Sequence, residues 1–103
     1  MNIQINTDKN ISASDGLFAF VKDKVSSSLS HYGDRITTVE VHLGDENSDK
    51  EGARDKRCMV EARVANLQPI AVTEQADTIE QAIAGAANKI KRAVGNSLGK
   101  LQK

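Results

Sequence analysis

The sequence has few aromatic residues and no tryptophan. Phe18, Phe20 and Tyr32 are the only aromatic side chains in 103 residues, although 39% of the residues are hydrophobic. A core must therefore be built mainly from isoleucine, valine, leucine and alanine. A chain of this length can bury one such core but is too short for two. We therefore expect residues 1–103 to form a single domain.

Cysteine and long apolar runs are also scarce. Cys58 is the only cysteine, so no disulfide bond can form within the chain, which fits a reducing compartment. No apolar run approaches the ~20 residues that cross a bilayer. Residues 1–4 lack the basic and then apolar pattern of a secretory signal. We expect a cytoplasmic protein without a membrane partner.

The chain has no net charge, but its charges are unevenly distributed. It contains 14 lysines and arginines and 14 acidic residues, and after Glu80 there are five basic residues and no acidic one. The end of the chain is therefore +5 and residues 1–80 are −5. Such a segment can bind a polyanion. The alternative is a solvated helix face whose lysines complement the negative end of the helix dipole.

The spacing of apolar residues predicts six elements. Alternation predicts strands, and steps of three and four predict helices. Gly33 is expected to end the first helix and Asn66 to form a turn before the last strand. The predicted elements are a strand at 2–6, a helix at 13–31, strands at 35–43, 57–64 and 69–73, and a helix at 77–103.

This β-α-β-β-β-α order predicts an α+β fold. Alternating strands leave one sheet face polar, so both helices are expected on the other face of a four-stranded sheet. The last three strands are expected to pair as an antiparallel meander. The result is a two-layer sandwich that resembles the layout of small double-stranded RNA-binding domains.

The last predicted helix carries a row of basic residues. At about 100° per residue, most of them fall within about 80° of one another on one flank, whereas Lys91 points to the other. The first helix exposes Lys22 and Lys24, which we expect to lie near this flank and to widen the positive patch. The row consists of four basic residues and one asparagine: Lys89, Arg92, Asn96, Lys100 and Lys103.

The remaining polar residues do not form a recognisable chemical motif. Residues 44–55 are predicted to be a mobile, mainly acidic loop, and its carboxylates lack the spacing of a calcium-binding loop. We expect no metal, no cofactor, no small-molecule substrate and no enzymatic activity. Two alternatives stay open: a protein-interaction module that uses the acidic 45–55 loop, and a small enzyme that uses Cys58.

Several short motifs, in their order along the chain, resemble the ribosome hibernation promoting factor family, also called ribosome-associated inhibitor or sigma-54 modulation (S30EA) proteins. The resemblance covers nearly the whole chain and corresponds to the short members of that family. The motifs are Ile3-Gln4-Ile5, Val21 to Lys24, Tyr32 to Ile36 leading into Val39-Glu40-Val41, Asp55 to Arg63, and Ala82-Ile83 followed by Asn88 to Arg92.

The resemblance implies a function and a set of contacts. Members of the family bind 16S rRNA of the small ribosomal subunit in the channel used by mRNA and tRNA, and idle or protect ribosomes under stress. Contacts to rRNA phosphates are sequence-independent and sensitive to salt. The expected rRNA-binding residues are Lys24, Lys89 and Arg92 from the resemblance, and Lys22, Lys91 and Lys100 from the charge pattern.

Overall fold

The computed structural model describes residues 1–46 and 55–101. The predicted element order is confirmed, with one short 3₁₀ turn added after the first helix. The elements are β1 (Asn2–Thr7), α1 (Asp15–Leu29), the 3₁₀ turn (Ser30–Arg35), β2 (Ile36–Asp45), β3 (Lys56–Val64), β4 (Ile70–Ala76) and α2 (Ile79–Leu101).

The four strands form one mixed sheet in the order β1-β2-β3-β4. The predicted antiparallel meander of β2, β3 and β4 is confirmed, and β1 pairs with β2 in parallel. Apolar residues are in register across all four strands, as in the row Ile5, Val41, Val60 and Val72. This register places one apolar face of the sheet beneath the helices.

Both helices cover that apolar face. Val21, Val25 and Leu29 of α1 are buried in the same cluster as the inner residues of β2 and β3 and the apolar side of α2. Burying each such side chain stabilises the fold by about 1.5–3 kcal/mol. The sheet and the helices therefore form the predicted two-layer α+β sandwich.

The ends of α1 follow local rules of capping and turn formation. The backbone N–H of Leu17 donates to the Ser14 hydroxyl, which caps the helix N-terminus. Gly33 has a φ of 55°, a left-handed conformation that glycine adopts at low cost, so the chain turns there into β2. Asn66 has a φ of 69° in the turn between β3 and β4, as predicted.

The predicted acidic loop is shorter at its described ends than the sequence indicates. β2 continues through Gly44 and Asp45, and Asp55 is also buried rather than solvated. The physical reason is Lys56, whose ammonium group lies 3.1 Å from Asp45 and 3.3 Å from Asp55. Residues 47–54, the rest of the predicted loop, lie outside the described residues.

Candidate nucleic-acid interface

The direction of the basic side chains at positions 89, 91 and 92 of α2 follows from the face that the helix buries. Thr78 accepts a hydrogen bond from the Gln81 N–H at the start of the helix. The inward residues include three alanines, which let the helix approach the sheet closely. They are Ala82, Ile83, Ala86, Ala87, Ile90, Val94 and Leu98. The residues at 89, 91 and 92 must then project from the two flanks and the outer side.

Lys89 projects toward the edge of the sheet and is held there. Its ammonium group lies 2.7 Å from Glu74 Oε1 and donates to the Thr73 carbonyl oxygen at 2.9 Å. Glu74 lies on the helix-facing side of β4, and it packs over Gly85 of α2. A Cβ at position 85 would lie 2.6 Å from Glu74 Cγ, so glycine is required for this contact. Lys89 is thus bound to a carboxylate of its own chain.

Lys91 and Arg92 lie on the side of α2 that faces the 3₁₀ turn. Together with Tyr32 they line a groove, whose remaining walls are Asn88, Gly95 and Asn96. Neither cation forms an ion pair within the described part of the chain, and no acidic side chain lines the groove. Lys91 and Arg92 therefore form a positively charged surface on which an anion can bind.

Tyr32 joins the 3₁₀ turn to α2. Its hydroxyl donates to the Lys91 carbonyl oxygen at 2.9 Å. A Cβ at position 95 would lie 2.7 Å from that hydroxyl oxygen, so the close approach depends on Gly95. From the sequence alone, Tyr32 fits the apolar spacing of the first helix, and nothing in that spacing predicts a contact with α2. A glycine inside a strong helical pattern was the signal of a close contact there.

The two lysines of α1 lie on different sides of that helix. Lys22 lines a cavity with Asn2 and Ile3, beside β1 at one edge of the sheet. Lys24 lies over the Phe20 ring, with 5.6 Å between its ammonium nitrogen and the ring centroid. Because Lys89 lies beside β4 at the opposite edge, the structure does not bring Lys22 and Lys89 into one patch.

Lys100 belongs to the last turn of α2, and its side chain lies outside what the structure describes. Lys103 lies outside the described residues altogether. Across residues 1–46 and 55–101, no group of three His, Cys, Asp or Glu side chains is arranged to hold a metal ion. Neither helix in this part of the chain has a stretch that is long and apolar enough to span a bilayer.

Cys58 is fully buried on the inner face of β3. Burial disfavours the thiolate and raises the pKa of the Cys58 thiol from 9.0 to about 12. The thiol is therefore protonated at neutral pH, whereas a nucleophilic cysteine requires an accessible thiolate. These two properties argue against the alternative in which Cys58 acts as a nucleophile.

The chain matches a family of known proteins over nearly its full length. The family model described as sigma 54 modulation protein / S30EA ribosomal protein matches residues 3–102. No protein with a curated description matches the sequence significantly.

Two solved structures share the fold. The N-terminal domain of Thermus thermophilus Protein Y superposes with a TM-score of 0.71 at 20% identity, over 89% of this chain and 93% of that one. A ribosomal subunit interface protein from Coxiella burnetii gives 0.76 at 13% identity, over 96% and 99%. The chain therefore belongs to the sigma 54 modulation protein / S30EA ribosomal protein family and has a ribosome-associated role.

Proposed function

We propose that this protein binds 16S rRNA of the small ribosomal subunit in the channel for mRNA and tRNA, and thereby idles or protects ribosomes under stress. The observation that carries the proposal is the groove at Lys91 and Arg92, which is open, positively charged and free of acidic lining residues. Its expected place of action is the cytoplasm, where ribosomes translate.

The basic residues would act through phosphate oxygens. Arg92 presents a guanidinium group that can donate two parallel hydrogen bonds to one phosphate, whereas Lys91 and Lys24 act as point charges. Lys22 and Lys100 would make additional phosphate contacts outside the groove. Such contacts position the protein on RNA without reading its sequence. Because they are electrostatic, the affinity should fall steeply as the salt concentration is raised.

Lys89 differs from the other basic residues because it is already paired. Its ammonium group is already neutralised by Glu74, so a phosphate must either replace that carboxylate or share the lysine with it. The Lys89 side chain is 51% exposed and that of Glu74 is 31% exposed, so solvent screens this ion pair and it contributes about 0–1 kcal/mol. A phosphate of rRNA can therefore compete for Lys89 at modest cost.

The first test is co-sedimentation with vacant 70S ribosomes and with isolated small subunits at low and moderate salt. Arg92→Glu should weaken binding roughly tenfold or more, because a charge-assisted hydrogen bond contributes about 1.5–3 kcal/mol and each 1.4 kcal/mol is about tenfold. Arg63→Glu is the matched control, since Arg63 is exposed on the sheet face opposite the helices.

Equal loss in both variants would mean that net charge alone governs binding. No binding by the wild-type protein at low salt would refute the proposal. Binding to the large subunit alone would refute the assignment to 16S rRNA while leaving the ribosome as the partner.

A further inference from the structure

Two cavities meet at the Tyr32 side chain. One lies between the 3₁₀ turn and the end of α2 and has a volume of about 540 Å³; its polar side chains are His31, Tyr32 and Arg35. The other is the groove at Lys91 and Arg92, with a volume of about 550 Å³. Both include Tyr32 and Gly95 in their walls, so the contact between these two residues forms the boundary between the cavities.

The charge of this region has one sign. The titratable residues that line the two cavities are His31, Tyr32, Arg35, Lys91 and Arg92, and none of them is acidic. Asp34 is the one carboxylate of the 3₁₀ turn, and it lines neither cavity. Within residues 1–46 and 55–101, Arg35 forms no ion pair, so its guanidinium group is available to a ligand.

We propose that the two cavities form one two-part subsite for the sugar-phosphate backbone of a single RNA strand. One phosphate is held by Arg35 in the turn, and a neighbouring phosphate is held by Lys91 and Arg92 on α2. Charge complementarity selects this occupant, since a polyanion is the ligand that unpaired cations in two adjoining cavities attract. This proposal rests on the proposed function and adds Arg35 and Tyr32 to the RNA-binding surface.

Tyr32 is the positioning residue of this subsite. Its hydroxyl fixes the 3₁₀ turn to the Lys91 carbonyl, and this bond sets the separation between the cation of the turn and the cations of the helix. Gly33 then redirects the chain so that Arg35 follows directly before β2. The separation is set before RNA binds, which lowers the ordering cost of binding.

The test is a titration of 70S ribosomes with Arg35→Gln, with Arg63→Gln as a control of equal charge change on the opposite sheet face. Arg35→Gln should weaken binding roughly tenfold, because it removes one charge-assisted contact of about 1.5–3 kcal/mol. The slope of log affinity against log salt should become shallower by about 0.7 for that one lost contact to single-stranded RNA. Arg63→Gln should change neither quantity.

Tyr32→Phe tests the positioning role separately. The variant keeps the ring but loses the hydrogen bond to the Lys91 carbonyl, so binding should weaken severalfold while the salt slope stays unchanged. If Tyr32 acts through Arg35, the same substitution in an Arg35→Gln background should have almost no further effect. Independent, additive effects would overturn the positioning role.

The outcomes distinguish this inference from the proposed function. Failure of the wild-type protein to bind ribosomes would overturn both. Wild-type binding that depends on Arg92 but is unchanged in affinity and salt slope by Arg35→Gln would overturn the two-part subsite alone.

Discussion

At the scale of single residues, Lys89 and Arg92 differ although both belong to the basic row of α2. Lys89 is paired with Glu74 and with a backbone carbonyl, whereas Arg92 has no ion pair among the described residues. A helical projection cannot reveal this difference, because it depends on a carboxylate contributed by β4. The fold therefore divides the predicted row into a part whose charge is neutralised, at Lys89, and a part that is open to a ligand, at Arg92.

Glu74→Gln should strengthen ribosome binding. The substitution removes the carboxylate that neutralises Lys89 but keeps a side chain of similar size over Gly85. An exposed ion pair contributes at most about 1 kcal/mol, so the gain should not exceed about fivefold. The measurement is a ribosome titration at low salt.

Glu61→Gln provides the matched control for that experiment. It makes the same change in net charge on the outer face of β3, away from α2. An equal gain in both variants would show that overall charge is responsible and would contradict a specific competition between Glu74 and phosphate.

Cys58→Ala should change how stability depends on alkaline pH. The folded state holds the Cys58 thiol protonated up to about pH 12, whereas the unfolded chain releases that proton near pH 9.0. Between these values the unfolded state binds fewer protons, so the wild-type fold loses about 1.4 kcal/mol of stability per pH unit from this group. Below pH 9 the group contributes no pH dependence.

The measurement is denaturant unfolding of both proteins from pH 8 to about pH 11. Cys58→Ala should be less stable at pH 8, because it leaves a small cavity in the core. The difference between the two proteins should then narrow as pH rises, since the variant lacks the titrating thiol. A constant difference would mean that the thiol of the folded protein titrates normally.

Arg35 and Tyr32 illustrate what the sequence left undetermined at this scale. Neither residue could be assigned to the RNA-binding surface from the sequence, because that assignment depends on where α2 passes relative to the 3₁₀ turn. Asp45 and Asp55 are a similar case. Their polarity predicted a solvated loop, and their burial became evident only through the register that places Lys56 opposite Asp45.

At the scale of elements, the apolar periodicity predicted every helix and strand, with bounds that differ by a few residues. Local patterns are sufficient because each element buries one face against a common core. The parallel pairing of β1 with β2 and the 3₁₀ turn were not predicted. Both depend on contacts between distant parts of the chain, such as Ile3 with Val39 and Tyr32 with Lys91.

Lys56→Gln should destabilise the open end of the β2–β3 pair. The ammonium group bridges two buried carboxylates, and its hydrogen bond to Asp45 is the main cause that raises the pKa of Lys56 above 10.5. Without this ammonium group, the carboxylates of Asp45 and Asp55 lie near each other with little access to solvent. The midpoint of thermal unfolding should therefore fall.

Arg57→Gln is the neighbouring control for Lys56→Gln. Arg57 pairs with Glu46 at 3.5 Å, and both side chains are about half exposed, at 48% and 46%. Solvent screens such a pair, so the midpoint should remain almost unchanged. Equal effects of the two substitutions would contradict a special role for the buried carboxylates.

At the scale of the whole molecule, the charges are separated along the direction of the helices. Leu17 and Phe20 of α1 share a cavity with Ile79 and Glu80, whereas Tyr32 contacts the later part of α2, so both helices run in the same direction. Acidic residues occupy the first turn of each helix, at Asp15 and Glu80. The basic groove lies toward the other end of the helices, so these two carboxylates and the groove are separated along the helix direction.

This arrangement supports the proposed binding in the channel for mRNA and tRNA, with the groove end of the helices entering it. In α2, 23 residues form a rod of about 35 Å, and the groove beside it would bind phosphates that mRNA and tRNA otherwise cover. Ribosomes loaded with mRNA and a tRNA should therefore bind the protein much more weakly than vacant ribosomes.

The measurement is co-sedimentation with vacant and loaded 70S ribosomes at the same low salt concentration. The loss on loading should be at least as large as the loss caused by Arg92→Glu on vacant ribosomes, because mRNA and tRNA would cover the whole surface whereas the substitution removes one of its contacts. Arg63→Glu should be as sensitive to loading as the wild-type protein, since its substitution lies on the opposite face. Equal binding to vacant and loaded ribosomes would place the site outside the channel, even if binding still depended on Arg92.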